Sequence, residues 1–171
     1  MYSIYRVSLE RLNFKASHDE LTGAYNRSGY DLLLSTVDVN STHMILFDVD
    51  NFKTINDTYG HEVGDQVLQK LVTTLKRNFR NNDYVCRIGG DEFVVFMAHS
   101  YKTMKELISA KIDRINSQLM DGSDGLPPIS VSVGIVHGDD VSETAGMFEK
   151  ADEAMYRSKQ SGKKTHTFYA K

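Results

Sequence analysis

Three carboxylic acids of this sequence lie at the boundaries between predicted apolar strands and polar turns. Asp48 follows the apolar run of residues 44–47 and ends a predicted buried strand. Asp91 and Glu92 are adjacent and interrupt a second stretch of strand-forming residues. A carboxylate at the exit of a central strand is costly to desolvate unless it is paired or binds a metal. The three acids are therefore candidates for a cation site.

The second pair of acids is predicted to form the tip of a β-hairpin. Residues 84–88 and 93–97 are the two strand-forming runs on either side of it. Gly89 and Gly90 precede the acids and can take the positive φ angles that a tight hairpin needs. A plain solvated turn is the alternative, because paired glycines and acids are both common turn formers.

The composition limits the classes of function. The chain has 171 residues, which suits a single domain, and 20 basic against 23 acidic residues give a net charge of −3. That balance argues against a nucleic-acid or membrane-surface partner, so a phosphate ligand must be bound locally. The single Cys86 fits a reducing cytosol, and no apolar run approaches the roughly 18 residues of a membrane span. We expect a soluble, cytoplasmic chain without direct membrane insertion.

Hydrophobic periodicity predicts the elements that position the acids. Helices are predicted over residues 1–17, 27–37, 60–79, 101–120 and 143–160, and strands over residues 43–49, 84–88, 93–97, 129–136 and 165–169. Lys53, Asn56 and Asp57 fall in a loop after the first strand. In that loop Asp50 or Asn51 could simply cap the turn, which is the alternative to a role in cation binding.

The first helix, residues 1–17, is predicted to be separate from a domain of residues 18–171. Its apolar residues recur at alternating spacings of three and four and form a two-heptad seam, namely Tyr2, Tyr5, Leu9, Leu12 and Ala16. A seam this short suits a dimer stalk and a helix packed on its own domain equally well. We expect a signalling or linker helix and leave both arrangements open.

Six blocks of residues, in order along nearly the whole chain, resemble the GGDEF family, the catalytic domains of diguanylate cyclases. A lone Gly-Gly-Asp-Glu-Phe is a weak signal, whereas six ordered blocks are specific. The blocks are Asp19-x-Leu21-Thr22-Gly23 with Asn26-Arg27, Phe47-Asp48-Val49-Asp50-x-Phe52-Lys53-x-x-Asn56-Asp57, Gly60-His61-x-x-Gly64-Asp65, Arg87-Ile88-Gly89-Gly90-Asp91-Glu92-Phe93, Ser132-Val133-Gly134-Ile135, and Ala151-Asp152-Glu153-Ala154-Met155-Tyr156 with Lys159 and Gly162.

The resemblance implies a palm-like, ferredoxin-related α+β fold with a mixed, mostly antiparallel sheet flanked by helices. It implies condensation of two GTP into cyclic di-GMP and two pyrophosphates at the interface of two domains, hence a homodimer. By resemblance, Asp48, Asp91 and the backbone carbonyl of Val49 hold one or two Mg²⁺ (or Mn²⁺) ions. Glu92 either positions the metal or assists removal of the 3′-hydroxyl proton.

The resemblance also implies the contacts to GTP. Asp65 would accept the paired N–H donors of guanine, with Asn56 as its partner on the base. Taken alone, the two residues favour an ordinary structural role, in which Asp65 faces water in the first turn of its helix and Asn56 caps that helix. The other implied substrate positions are Asn51, Phe52, Lys53, Gly89, Gly90, Lys159 and Lys163.

Lys159 and Lys163 are the implied phosphate contacts near the C-terminus. Their spacing of four predicts neighbouring positions on one helix end, where the helix dipole alone also favours lysine. The family usually has Arg where Lys163 stands. A lysine keeps the positive charge but lacks the planar guanidinium group, which can bind a phosphate in a bidentate way.

An Arg80-x-x-Asp83 pattern precedes the signature at the offset of the family's inhibitory site. The resemblance implies that product binds there, through the arginine fork and the aspartate; a solvated turn is the alternative. A catalytically silent receptor for GTP or cyclic di-GMP is the rival function. Silent members usually lose an acid of the signature or a metal ligand, and this sequence keeps them all.

Overall fold

The computed structural model describes residues 11–170, with one five-stranded sheet at its centre. The strands are β1 (His43–Val49), β2 (Tyr84–Arg87), β3 (Glu92–Met97), β4 (Val131–His137) and β5 (His166–Phe168). The helices are α1 (Arg27–Thr36), α2 (Phe52–Tyr59), α3 (His61–Asn78), α4 (Lys105–Met120) and α5 (Ala145–Gln160). Residues 11–17 are also helical.

Strand β1 lies in the middle of the sheet, in the order β2-β3-β1-β4-β5. It is antiparallel to β3 and to β4, β2 and β3 form an antiparallel hairpin, and β4 and β5 run parallel. Antiparallel pairing brings the C-terminal end of β1 beside the start of β3 and the start of β4. This mostly antiparallel sheet with flanking helices confirms the predicted α+β class.

Helices cover both faces of the sheet. Every residue of β1 is buried, as its apolar sequence predicts for a central strand. Ile45 and Phe47 belong to the core cluster that includes α2, α3 and α4, whereas Met44 and Leu46 belong to the cluster that includes α1 and α5. Alternate side chains of β1 face opposite helical layers, so a shift of the strand register by one residue would move every side chain to the wrong face. Packing on both faces therefore fixes the register.

Helix α5 approaches the sheet most closely at Gly134 of β4. A Cβ there would overlap the backbone of Ala151 and Met155. Glycine is therefore needed for α5 to lie against the sheet. The hydroxyl of Ser158 donates to the Val133 carbonyl at 2.8 Å and fixes the last turn of α5, which carries Lys159.

The segment predicted as a loop after β1 is helix α2. Its polar sequence has weak helix propensity, but Ile55 is buried in the core, and this packing outweighs propensity. Gly60, at φ 89°, then separates α2 from α3. Lys53 and Asn56 therefore stand on a helix and not on a loop.

The described part of the N-terminal seam is not packed on the domain. Leu12 is 63% exposed, and Ala16 is also exposed. Tyr2, Tyr5 and Leu9 lie outside the described residues. Within residues 11–170, no helix has both the length and the apolar character that crossing a bilayer requires.

Candidate active site

The end of β1 and the β2–β3 turn bring Asp48, Asp91 and Glu92 together, and we call these three residues the acidic patch. Asp48 is the register partner of Glu92. The N–H of Val49 donates to the carbonyl of Asp91 at 3.2 Å. Asp48 is buried, whereas Asp91 and Glu92 are half-buried. The C-terminal end of β1 and the tip of the β2–β3 hairpin thus hold their acids at the same end of the neighbouring strands.

The β2–β3 turn is held by an arginine, and the prediction of positive φ angles at its glycines is wrong. Neither Gly89 nor Gly90 has a left-handed backbone. Instead, Arg87 donates to the Gly90 carbonyl from Nη2 at 2.8 Å and from Nε at 3.2 Å. Its Nη1 lies 3.2 Å from Asp19 Oδ2. Sequence reasoning did not assign this role to Arg87, although an arginine beside a turn carbonyl supplies the donors that such a turn needs.

Lys159 forms an ion pair with the most buried acid of the patch, with Nζ 3.0 Å from Asp48 Oδ2. Burial raises the pKa of Asp48; the bond to Lys159 opposes this shift, and the charge of Asp91 adds to it. Burial alone would lower the pKa of Lys159, but the Asp48 carboxylate outweighs burial and the pKa is raised. The site therefore holds an excess of negative charge beside one close cation.

The donor chemistry of the acidic patch fits Mg²⁺ or Mn²⁺, which bind hard oxygen ligands. Within residues 11–170, no three His, Cys, Asp or Glu side chains form a metal cluster by themselves. The predicted ligands are fewer, the carboxylates of Asp48 and Asp91 with the Val49 carbonyl. Repulsion from Asp91, which adds to the raised pKa of Asp48, is the interaction that a divalent cation would relieve.

Lys163 lies beyond α5, so the prediction that both lysines stand on one helix end is wrong for this residue. The chain turns at Gly162 (φ 111°), and Lys163 (φ 65°) and Lys164 (φ 48°) are also left-handed. The turn directs Lys163 toward the exit of β1, where its Nζ donates to Asn51 Oδ1 at 2.6 Å. Asn51 is itself left-handed, at φ 56°. Lys163 thus reaches the residues that follow β1 from a turn of left-handed residues.

Asn56 and Asp65 stand on successive helices that meet at Gly64. A Cβ at Gly64 would overlap Oδ1 of Asn56, so the amide lies directly against the first turn of α3. Asp65 follows Gly64 and is exposed. The N-cap of α3 is Gly60 without a side-chain cap, so Asn56 does not cap this helix. The Asn56 amide therefore lies beside Gly64, the residue that precedes the exposed Asp65.

The remaining predicted substrate positions lie at the start of α2 and on the β2–β3 turn. Phe52 is half-buried and packs against the core, whereas Lys53 is exposed. Gly89 and Gly90 are exposed on the turn. A Cβ at Gly90 would meet nothing within 4 Å, so the outer side of the turn is open to a ligand.

Arg80 and Asp83 lie together between α3 and β2. Arg80 Nε is 3.6 Å from Asp83 Oδ2, and Nη2 donates to the Ala98 carbonyl at 2.9 Å. The side chain of Asp83 is 1% exposed. Its oxygens accept the N–H of Arg80 at 2.9 Å and the N–H of Ala98 at 3.2 Å. A guanine at Asp83 would have to replace these backbone bonds, whereas the Arg80 side chain is half-exposed.

The family model described as "Diguanylate cyclase, GGDEF domain" matches residues 16–165. The chain therefore belongs to this family. Its fold is the nucleotidyl cyclase-like palm, as the solved structures of GGDEF domains below also have.

Two curated relatives come from Escherichia coli K12. The chain is 35% identical to the protein named probable diguanylate cyclase DgcI and 32% identical to diguanylate cyclase DgcM, over 95% and 90% of its length. It spans 34% and 38% of those proteins. The solved coiled coil and GGDEF domain of DgcB from Caulobacter crescentus, in complex with c-di-GMP, is 26% identical with a TM-score of 0.84. That match covers 98% of this chain and 93% of the solved one.

Proposed function

We propose that this chain is a diguanylate cyclase, which condenses two GTP into cyclic di-GMP with release of two pyrophosphates. The observation that carries the proposal is the acidic patch with Lys159 3.0 Å from Asp48. Attack by a ribose 3′-hydroxyl on an α-phosphorus builds charge on phosphoryl oxygens, so the site must supply cations and alignment more than covalent chemistry. GTP as substrate places the reaction in the cytoplasm.

Asp48, Asp91 and the Val49 carbonyl would hold Mg²⁺ or Mn²⁺. When bound, the ion offsets charge on the phosphoryl oxygens. Lys159, Lys163 and Lys53 bind the phosphates, and the open side of the β2–β3 turn lets the chain of phosphates approach its backbone. Glu92 either orients the metal ligands or accepts the 3′-hydroxyl proton.

Asp65 and Asn56 select guanine. Guanine offers N1–H and N2–H₂ side by side, which one carboxylate accepts together, and adenine offers no such pair. The position of the Asn56 amide against Gly64, the residue before Asp65, supports this assignment, because it brings Asn56 to the helix turn that carries Asp65. Two GTP molecules, and not a mixed pair, are the expected substrates.

Catalysis requires two domains, each with one bound GTP, so that each 3′-hydroxyl meets the partner's α-phosphate. Residues 18–171 form the catalytic domain in this proposal, and residues 1–17 form the helix that pairs two chains. The 63% exposure of Leu12 supports pairing over packing on the same domain, since an apolar seam residue in water gains from a partner. The solved relative DgcB likewise has a coiled coil with its GGDEF domain.

Cyclic di-GMP inhibits the enzyme at Arg80 and Asp83. A cavity of about 320 Å³ lies beside these residues, and Lys76, Tyr25 and Tyr84 also line it. Cationic and aromatic groups suit a ligand that carries both phosphates and purine bases. In this arrangement Arg80 makes the contact, and Asp83 holds the loop that presents it.

Incubation with GTP and Mg²⁺, followed by chromatography for cyclic di-GMP and pyrophosphate, tests the function. Asp91→Asn and Glu92→Gln should each abolish product, while Glu106→Gln, at an exposed acid of α4, should leave it unchanged. Product that persists in both patch variants would overturn the assigned roles. Tight GTP binding without any product from the native chain would instead establish the silent receptor.

A further inference from the structure

We infer that Asp50 is a positioning residue, which fixes the phosphate contact Lys163 and thereby sets the affinity for the triphosphate. The inference rests on the proposed function. Asp50 stands two residues after Asp48 and is 6% exposed. The pattern Asp-Val-Asp at a strand exit makes both acids look like cation ligands, but the structure gives them different surroundings.

The carboxylate of Asp50 joins three segments of the chain. Oδ1 accepts the hydroxyl of Ser132 at 2.6 Å, and Oδ2 accepts the hydroxyl of Ser130 at 2.6 Å. Oδ2 also accepts the backbone N–H of Lys164 at 3.0 Å. Three hydrogen-bond donors stabilise the buried charge of Asp50, whereas Asp48 forms an ion pair with Lys159.

The bond to Lys164 holds a strained turn. Gly162, Lys163 and Lys164 are consecutive left-handed residues, and this conformation is unfavourable for the two lysines. The turn persists because the N–H of Lys163 donates to the Ser158 carbonyl at 3.2 Å and the next N–H donates to Asp50. Bonds on both sides of the Lys163 side chain therefore set its direction.

The direction of Lys163 matters because its Nζ ends at Asn51 Oδ1, 2.6 Å away, beside the exit of β1. Asp50 thus connects the strand that carries Asp48 to the turn that carries Lys163. Without this connection the turn would relax away from its left-handed conformation, and the ammonium would lose its place. The acidic patch and the guanine contacts would remain, since neither uses the Asp50 carboxylate.

A double-mutant cycle tests the link. Calorimetry with Mg²⁺ present should show that Asp50→Asn weakens GTP binding by about tenfold and leaves GMP binding, measured by competition, within about twofold. Lys163→Met should weaken GTP binding to a similar extent. Adding Asp50→Asn to Lys163→Met should then cost less than about twofold. Additive losses in the double variant, or an equal loss for GMP, would overturn the inference.

Hydrogen exchange of the Lys164 amide gives a readout that needs no nucleotide. Its protection should fall in Asp50→Asn and, in part, in Ser130→Ala and Ser132→Ala, which keep the charge and give a graded test if Asp50→Asn folds poorly. GTP affinity should fall in the same order. Affinity and amide protection that vary independently would contradict the role of Asp50.

The two hypotheses fail in different ways. If the native chain makes cyclic di-GMP and Asp50→Asn binds GTP as tightly as the native chain, the inference is wrong and the proposed function stands. If the native chain binds GTP in an Asp50-dependent way but makes no product, the proposed function is wrong and the inference stands. A native chain that binds no GTP overturns both.

Discussion

Lys159 and Asp48 form an ion pair across 111 positions of the chain, with Nζ 3.0 Å from Oδ2. The charge of either partner would be unfavourable without the other, because Asp48 is buried beside Asp91 and Lys159 is partly desolvated. Helix α5 can deliver the lysine only because Gly134 lets it lie close to β4. The close packing of α5 on the sheet is therefore part of the electrostatics of the site.

Replacing Lys159 with Met should make the fold more dependent on a divalent ion. The buried Asp48 loses its counter-charge, and the free energy of unfolding should fall by about 1–2 kcal/mol, a range that allows for solvent screening of the partly exposed lysine. Mg²⁺ should then raise the melting temperature more in Lys159→Met than in the native chain, because it no longer competes with the ammonium. Thermal denaturation with and without Mg²⁺ measures this difference.

Lys150→Met is the matched control for this experiment. Lys150 stands on the same helix, and its Nζ lies 3.7 Å from Glu153 at the surface. Because this ion pair lies in solvent, the variant should keep nearly the stability of the native chain and respond to Mg²⁺ as the native chain does. An equal Mg²⁺ response in both variants would show that Lys159 does not neutralise Asp48.

Substitutions of Arg80 and Asp83 should have different effects: the first should weaken product inhibition, and the second should lower stability. Arg80→Ala removes a half-exposed side chain, and the cyclic di-GMP concentration that halves activity should rise at least about tenfold with little change in stability. Asp83→Ala leaves the N–H groups of Arg80 and Ala98 without an acceptor, and the free energy of unfolding should fall by about 2 kcal/mol. Inhibition curves and urea denaturation measure the two effects. Unchanged inhibition in Arg80→Ala would remove this site from the proposal.

Much of the fold was readable from the sequence because its strands carry strong patterns. The bounds of β1 were predicted as the structure has them, since a continuous apolar run ending in acid has few other interpretations. Helix α2 was missed, because its polar residues form a helix only by packing Ile55 into the core. Local sequence carries no record of that tertiary contact.

In the candidate site, too, the identities of the residues were predicted from the sequence, whereas part of their geometry was not. The meeting of Asp48 with the hairpin acids was expected from the resemblance to the GGDEF family, and the antiparallel pairing of β1 with β3 agrees with it. The turn after α5 was not predicted, since lysine residues such as Lys163 and Lys164 rarely adopt a left-handed backbone. The hydrogen bonds of Asp50 join residues about 80 and 114 positions away, a separation that no local pattern reports.

Leu12→Asp should reduce cyclization without affecting substrate binding. A charge on the seam opposes pairing of two chains, so specific activity should fall at least about tenfold and should depend more steeply on protein concentration. GTP affinity should stay within about twofold, because Leu12 lies outside the proposed GTP site. Phe14→Ser is the control, since Phe14 is exposed off the seam and stacks on His18 at 3.8 Å. Full activity of Leu12→Asp at nanomolar protein would exclude a role of the helix in pairing.

His43 should make the fold sensitive to acid. Burial, followed by the charge of the neighbouring His137, lowers the pKa of His43 to about 4, whereas Asp140 opposes and Lys105 assists the shift. The unfolded chain binds this proton near pH 6.5 and the folded chain does not, so stability is complete above about pH 6.5 and falls as the pH drops toward 4. The contribution lost between pH 7 and pH 5 is about 2 kcal/mol.

Urea denaturation of the native chain and of His43→Gln at both pH values measures this loss. The variant lacks the titrating ring, so its free energy of unfolding should change by about 2 kcal/mol less between pH 7 and pH 5. His61→Gln, at an exposed residue of α3, should keep the acid sensitivity of the native chain. The same pH dependence in His43→Gln would assign the effect to another group.

Gly64→Ala should impair guanine recognition through Asn56. The added methyl group would occupy the space of the Asn56 amide, which must then turn away from the first turn of α3. We expect the KM for GTP to rise about tenfold with kcat within about twofold, and the preference for GTP over inosine triphosphate, which lacks the 2-amino group, to shrink. Steady-state kinetics with both nucleotides measure the change. Gly146→Ala, where the new methyl meets only the Val141 side chain at 3.8 Å, should behave as the native chain. If Gly64→Ala binds and discriminates like Gly146→Ala, Asn56 does not contact the base.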